Sequence, residues 1–287
     1  MRRRALAGAG PRPFLKWAGG KGQLLAELIP RVRAGLGDGG YHEPFIGGGA
    51  LFFELARLGA LPERVTISDA NPNLVDTYVA VRDELDGVID RLREHKARHD
   101  DAHYYAVRAS RPRGTAARAA RVIYLNKTCF NGLYRENSRG EFNVPMGRYA
   151  RPEVLDEANL RAASEALRGV SISVADFGGV ASRARRGDLV YFDPPYDPVS
   201  TTSSFTSYAK GGFGAAEQAR LRDLVRELSG AGVRFLLSNS MTPRVRELYA
   251  AFHIDTVLAG RSVNSRGDRR GKVEEALVRN YEVAAGG

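Results

Sequence analysis

Four short apolar runs in this chain each stop at an acidic or polar residue, and that repetition narrows the possible folds more than any other feature. The runs are Val65-Thr66-Ile67-Ser68 before Asp69, Ile172-Ser173-Val174 before Asp176, Leu189-Val190-Tyr191-Phe192 before Asp193, and Phe235-Leu236-Leu237 before Ser238-Asn239. Runs of this length, rich in β-branched and aromatic residues, read as buried strands. Helical spacing follows at Leu221, Leu224, Val225 and Leu228, so strand alternates with helix and the sheet is predicted to be mostly parallel, with helices on both faces. In such sheets ligands bind beyond the carboxyl ends of the strands, which gathers these acids around one cleft.

The stretch 71–170 departs from that rhythm. Apolar residues at Val75, Val79, Leu85, Val88, Ile89 and Leu92, and again at Ala119, Val122, Ile123 and Leu125, have the helical period. The expected organisation is a catalytic sheet domain from residues 1–70 and 171–287, interrupted by a mainly helical segment over 71–170. Within the segment, FNGLYRENSRGEFNVPMGRY (Phe130 to Tyr149) is predicted to form a hairpin near 130–148 that turns at Ser138-Arg139-Gly140.

Charge speaks to partners. The 287 residues carry 43 Lys and Arg against 33 Asp and Glu, a formal net charge of +10, which favours a polyanion such as nucleic acid. Between Arg118 and Arg151 lie seven basic and two acidic residues, and Arg261, Arg266, Arg269, Arg270 and Lys272 form a second basic cluster opposed by Asp268. No apolar run approaches the ~20 residues that a bilayer span needs, so a membrane protein is excluded. The single cysteine, Cys129, cannot close an internal disulfide; a cytoplasmic protein is expected, with no obligate protein partner implied.

Three motifs carry candidate chemistry. EPFIGGGALFFEL places Gly47, Gly48 and Gly49 in a tight turn before a helix, with Asp69 twenty residues beyond the last of them. That is the spacing of a nucleoside site in which an acid accepts the ribose hydroxyls. Glu43 and Asp69 beside the turn disfavour a pyrophosphate and suit a cationic nucleoside such as S-adenosylmethionine. Glu43, Phe45, Gly47, Gly49 and Asp69 are the candidate contacts. FLKWAGGKGQLL, with Lys16, Trp17 and Lys21, resembles a phosphate loop only superficially: Phe14 stands where its first glycine should be, and Gly22 follows Lys21 in place of Ser or Thr. The third motif, Asp193-Pro194-Pro195-Tyr196, follows a buried strand directly. A carboxylate and a proline-flanked carbonyl offer two acceptors for the two protons of an exocyclic amine, and the Tyr ring offers a stacking face. Two acceptors draw electron density onto a nitrogen otherwise delocalised into its ring, and so prepare it to attack a methyl sulfonium in line.

At this point the chain resembles a known family, the Dam-like D12-class N6-adenine DNA methyltransferases. FLKWAGGK, EPFIGGGALFF, Asp69-Ala70-Asn71, NKTCFNGLYRENSRGEFNVPMGRY, and DPPY followed by SSFTSY occur in the family's order over nearly the whole chain. The resemblance implies a Rossmann-like methyltransferase fold with an inserted DNA-recognition domain. It also implies transfer of a methyl group from S-adenosylmethionine to N6 of an adenine flipped out of double-stranded DNA. Trp17, Lys21, Asp69 and Asp193 would line the cofactor site, with Asp176 and Phe177 near its adenine. Asp193, Pro194 and Tyr196 would hold the target base. Phe130 would fill the space that the base leaves, Asn131, Leu133, Arg135, Pro145 and Arg148 would read or flank the site, and Lys16 would meet a guanine edge. Arg261 and Lys272 of the second basic cluster would contact DNA. Leu133, Arg135 and Pro145 match members that read GATC, whereas Thr128-Cys129 and Tyr134 depart from some members. The rival readings are an N6-adenine RNA methyltransferase and a DNA-binding module without catalysis, the latter opposed by the intact DPPY.

No metal is expected. His95, His99 and His103 recur at i, i+4 and i+8 on a predicted helix, where they are read as a polar face. Cys129 lacks the Pro-Cys context of cytosine methylation and is read as a structural thiol.

Overall fold

The computed structural model describes residues 10–196, 213–260 and 272–283. Among these residues seven strands form one sheet: β1 (Tyr41–Glu43), β2 (Val65–Asp69), β3 (Ser171–Val174), β4 (Leu189–Phe192), β5 (Arg234–Ser240), β6 (His253–Gly260) and β7 (Lys272–Arg279). Their order is β3-β2-β1-β4-β5-β7-β6. Pairing is parallel from β3 through β5, and β7 runs antiparallel between β5 and β6. The four runs singled out in the sequence are β2, β3, β4 and β5, but β3 is not the buried strand expected: it lies at the sheet edge, where none of its residues is buried and Val174 is 51% exposed. The three-residue β1 is too short to announce itself by periodicity, and the β6–β7 pair makes the sheet mixed at one edge.

The apolar runs are continuous because both faces of the sheet are covered. Leu189 and Tyr191 of β4, Leu236 of β5 and Leu277 of β7 face one apolar cluster, shared with helices α1 (Leu25–Gly35) and α2 (Ala50–Arg57) through Leu28, Val32, Phe52 and Phe53. Val190 and Phe192, Phe235 and Leu237, and Ala276 and Val278 alternate with them toward the other cluster. There they meet Leu221 and Val225 of α8 (Ala215–Gly230) and Val245 of α9 (Pro243–Leu248). The period of two is that of an extended strand.

Between β2 and β3 lie α3 (Pro72–Asp83), α4 (Leu85–Ala97), α5 (Asp101–Ala109), α6 (Thr115–Thr128) and α7 (Glu157–Leu167). Asn71 starts α3: its side chain accepts from the amides of Asn73 and Leu74, and Pro72 needs no donor in the first turn. Leu74, Tyr78, Val88, Tyr124 and Leu160 share one core with Ile67 and Phe53, so these helices are packed onto the sheet. The three histidines do not share one helix. His95 is on α4, His99 follows its end, and His103 is on α5, because Asp100 caps a new helix by accepting from the His103 amide at 2.7 Å. The three rings surround Tyr124: His95 stacks on it at 4.8 Å, and His99 Nδ1 lies 2.8 Å from its hydroxyl.

After α6 the chain turns through Phe130–Gly132 and folds back on itself. Phe130 N donates to Pro145 O, Asn143 N to Arg135 O, and Asn137 N to Glu141 O. The loop is tied by Asn137 Oδ1, which accepts from the amides of Arg139 and Glu141 at 2.9 and 3.0 Å, with Gly140 in the left-handed region at φ 75°. No helix among the described residues is long and apolar enough to cross a membrane.

Candidate functional site

The strand order reverses at β1, which has β2 on one side and β4 on the other, and a crevice opens outside the carboxyl ends of these strands. Glu43 ends β1, Asp69 ends β2 and Asp193 follows β4. Topology thus brings together acids that are distant in sequence.

The Gly-rich turn sits at this point. Gly47 and Gly49 have φ of 47° and 72°, a region costly for residues with a Cβ. A Cβ at Gly49 would stand 2.7 Å from Tyr78 Oη, and one at Gly47 would stand 3.0 Å from Trp17 Cδ1. The turn is pinned from both sides: Gly47 N donates to Asp69 Oδ2 at 3.2 Å, and Tyr78 Oη donates to Gly47 O at 3.0 Å. Asp69 also accepts from Asn71 N at 2.9 Å. Burial raises its pKa, and these amide donors pull it back. Phe45 stacks on Phe177 at 5.4 Å, and Phe213 packs edge-on to Phe45 at 5.7 Å.

Asp176, placed near a cofactor adenine by resemblance, is exposed. Its carboxylate accepts from Gly178 N at 2.9 Å and pairs with Arg220, whose guanidinium lies 4.1 Å over the Phe177 ring. The buried Phe177, with Phe45, forms the apolar wall beside it.

Asp193 is held by two side chains distant in sequence. Lys21 Nζ stands 2.8 Å from Asp193 Oδ1, with only 7% of the Lys21 side chain and 19% of the Asp193 side chain exposed. The same ammonium donates to Gly19 O at 2.6 Å and lies 4.3 Å over the Tyr196 ring. Ser238 Oγ, on β5, donates to Asp193 Oδ1 at 2.9 Å and meets Tyr191 Oη at 3.0 Å. Burial raises the pKa of Asp193, while the Lys21 charge and the Ser238 hydrogen bond oppose that rise. Pro194 is buried, and the Tyr196 hydroxyl donates to Glu275 Oε2 on β7 at 2.5 Å.

Glu43 is fully enclosed, and its Oε2 accepts from Tyr41 Oη at 2.8 Å. Burial pushes its carboxyl up to about 8; the Tyr41 hydrogen bond opposes the shift and the Asp193 charge adds to it. A folded-state value above the ordinary 4.5 means that the native protein holds a proton which the unfolded chain has lost. This contribution is complete below about pH 4.5 and declines as pH rises through about 8, by up to about 1.4 kcal/mol per pH unit. Thermal melts across pH 5 to 8 are therefore expected to fall, and Glu43→Gln to flatten the slope. Asp69, Asp193 and Glu275, all raised in the same direction, leave a residue of it. A Glu43→Gln curve parallel to that of the parent would show that Glu43 is ionised in the fold.

The hairpin presents a second surface. Phe130 is 51% exposed and Leu133 is 38% exposed, and Asn131, Pro145 and Arg148 are exposed beside them. Asn131 has φ 56°. Arg135 Nε donates to Asn143 Oδ1 at 2.7 Å, across the hairpin. The exposed Lys16 is tied to this surface: buried Asn126 accepts from Lys16 N at 2.7 Å and donates to the carbonyls of Lys16 and Gly132. Trp17, which packs on the Gly47 turn, stacks on Tyr134 of the hairpin at 5.1 Å. Not every cation of the basic run faces outward. Arg121 donates to the carbonyls of Val107 and Arg108 at the end of α5. Cys129 is buried and its thiol is pushed up to about 11 by that burial, which suits a structural role. Arg261 and the SSFTSY segment lie outside the described residues, as does the side chain of Lys272, although its backbone begins β7.

Sequence reasoning did not reach Tyr41, Ser238 or Glu275. Tyr41 lies on β1, too short to read as a strand, Ser238 reads only as the polar end of β5, and Glu275 stands next to Glu274 in a segment where nothing local separates a half-buried acid from an exposed one.

A family model of the D12 class N6 adenine-specific DNA methyltransferases matches residues 17–263. The chain is 42% identical over 280 residues to Type II methyltransferase M1.LlaDCHI of Lactococcus lactis subsp. cremoris, covering 94% of this chain and 95% of that protein. It is 41% identical over 287 residues to Type II methyltransferase M.MjaIII of Methanocaldococcus jannaschii, covering 94% and 99%. Identity is 34% over 275 residues to the DNA adenine methylase of Vibrio cholerae, covering 93% and 95%. With matches of this extent, and a mixed sheet whose strand-end acids meet at its switch point, the chain belongs to the D12 class N6 adenine-specific DNA methyltransferases.

Proposed function

We propose that the methyl donor is S-adenosylmethionine, held between the Gly47–Gly49 turn and the acids at the strand ends, and that the acceptor is an adenine extruded from double-stranded DNA into the pocket beside Asp193 and Tyr196. The observation that carries this reading is the Asp193–Lys21 pair, a carboxyl group held against a buried ammonium at the switch point, beside an aromatic ring. The residues fit the donor: Gly47 leaves a cradle against Trp17 that a Cβ would fill, and Asp69, which accepts from the amides of Gly47 and Asn71, stands at the end of β2 beside that turn. When bound, the donor supplies an electrophilic methyl on a sulfonium. Asp69 would accept the ribose hydroxyls, and Phe45 and Phe177 would flank the adenine of the donor, with Asp176 at its rim. Asp193 and the Pro194 carbonyl would accept the two N6 protons, orient the nitrogen lone pair and raise its electron density.

Extruding a base from a duplex costs a few kcal/mol, and stacking on an aromatic side chain returns about 1–3 kcal/mol per base. Tyr196 for the flipped adenine and Phe130 for the gap it leaves would roughly offset the cost. Residues 71–170 would serve as the target-recognition segment, with Lys16, Asn131, Leu133, Arg135, Pro145 and Arg148 at the reading surface, and Arg261 and Lys272 among further DNA contacts. GATC is the leading candidate site, since the hairpin keeps Leu133, Arg135 and Pro145, by which the chain resembles members that read it.

Incubation of the protein with S-adenosylmethionine carrying a labelled methyl group and plasmid DNA, followed by mapping of modified bases, tests this reading. Label in N6-methyladenine at one short sequence supports it; label on RNA alone, or none, overturns it. In the same assay Arg135→Ala is expected to lose about 1–3 kcal/mol of discrimination at one base pair, roughly five- to 150-fold, through loss of a bidentate contact to guanine. An unchanged preference across duplexes altered at single positions removes Arg135 from that role.

A further inference from the structure

Glu275 lies within the sheet. Its register neighbours are Ser240 on β5 and Val257 on β6, and the next four residues of β7, Ala276 to Arg279, are buried. A carboxylate in such a place carries a desolvation cost unless a donor meets it. Its partner, across 79 residues of sequence, is the Tyr196 hydroxyl at 2.5 Å. Tyr196 is gripped at a second point, since Lys21 Nζ lies 4.3 Å over its ring and pairs with Asp193. Glu275, Tyr196, Lys21 and Asp193 thus form one connected unit, and a Tyr196 ring in another rotamer would lose both the hydroxyl bond and the ammonium.

We propose that Glu275 is a positioning residue for methyl transfer: by accepting the Tyr196 hydroxyl it fixes the plane of the ring against which the target adenine stacks, and so the approach of N6 to the methyl carbon. The proposal rests on the reading of Tyr196 as the stacking platform. Two effects support it. A hydrogen bond to a carboxylate is short and strong for its class and tolerates little rotation. Donation of the phenolic proton toward a carboxylate also enriches the ring in electron density, and such a ring attracts a stacked purine that gains positive charge as its amine takes the methyl cation.

The test compares Glu275→Ala, Glu275→Gln, Tyr196→Phe, Tyr196→Ala and the Tyr196→Phe/Glu275→Ala double variant. Single-turnover methylation, KM for a duplex and thermal melting are measured for each. A misplacement of about 1 Å costs on the order of 10²-fold in rate. Glu275→Ala and Tyr196→Phe are accordingly each expected to slow the single-turnover step by about 10- to 100-fold, with KM for DNA changed by less than about threefold. Glu275→Gln, whose amide oxygen still accepts from the hydroxyl, should restore the rate to within about threefold, and the double variant should be no slower than the slower single by more than about twofold.

Multiplicative losses in the double variant overturn the proposal, as does a Gln variant as slow as Ala. Tyr196→Phe deletes one oxygen and keeps the ring, so turnover at the parent rate in that variant also overturns it, even if Glu275→Ala fails to fold. A Tyr196→Ala protein that methylates as fast as the parent refutes the stacking reading itself. Slow Tyr196→Ala together with fast Glu275→Ala refutes the role of Glu275 alone.

Discussion

Asp193→Ala is expected to bind duplex DNA within a few-fold of the parent affinity and to transfer methyl groups at least about 10³-fold more slowly. The first half follows because DNA affinity rests largely on phosphate contacts from basic side chains, and exposed cations such as Lys16 and Arg148 stand on the hairpin side of the site. The second half follows because Asp193 is held in a largely water-excluded crevice, by Lys21 at 2.8 Å and Ser238 at 2.9 Å. Removing a single preorganised group of this kind typically costs about 10²–10³ in kcat, and here the acceptor and the positioning of the amine are lost together. A stability loss accompanies it. Breaking a buried pair costs about 3–5 kcal/mol, and the lower end applies because Lys21 keeps the Gly19 carbonyl at 2.6 Å. Anisotropy titration with a fluorescent duplex and methyl transfer on the same preparation check both halves. Turnover within tenfold of the parent would remove Asp193 from the chemistry.

Lys21→Met keeps the shape of the side chain and removes its charge. Burial raises the Asp193 pKa, and Lys21 is the first influence opposing that rise. An opposite charge at this range moves a carboxyl by about 1–3 pKa units. Without it, the value climbs further and the ionised fraction at neutral pH shrinks. The sign is definite: the ionised form of Asp193 is the active one, so the acid limb of the pH–rate profile moves to higher pH. The loss is expected to be greatest at acid pH and to shrink toward pH 9, since each unit by which the pKa exceeds the assay pH removes about tenfold of the active form. A uniform loss at all pH values would mean that Lys21 acts only in binding and not through Asp193.

The legible parts of the sequence were those that depend on local pattern. β4 could be read because four consecutive apolar residues, Leu189 to Phe192, serve two buried faces at once, and its terminal Asp193 could be read because proline follows it. The Gly47–Gly49 turn announced itself by residue type, since only glycine fits two left-handed positions against Trp17 and Tyr78. The three histidines misled, because an i, i+4 spacing persists on paper across the break that the Asp100 cap introduces. Arg121 looked like part of a basic surface, yet it caps α5 from within the fold.

From composition and motif order alone came the parallel α/β character, the interrupting helical segment, the polyanionic partner and the acid beside the paired prolines. Each is written in nearest neighbours, or in a period of two or 3.6 residues. The partners of that acid were decided by the tertiary structure. Lys21 lies 172 residues before it, Ser238 reaches it from β5, and Glu275 holds Tyr196 from an antiparallel strand at the far end of the chain. Burial and electrostatic environment are properties of what folds against a side chain, and strand order, which no local window contains, determines which side chains those are.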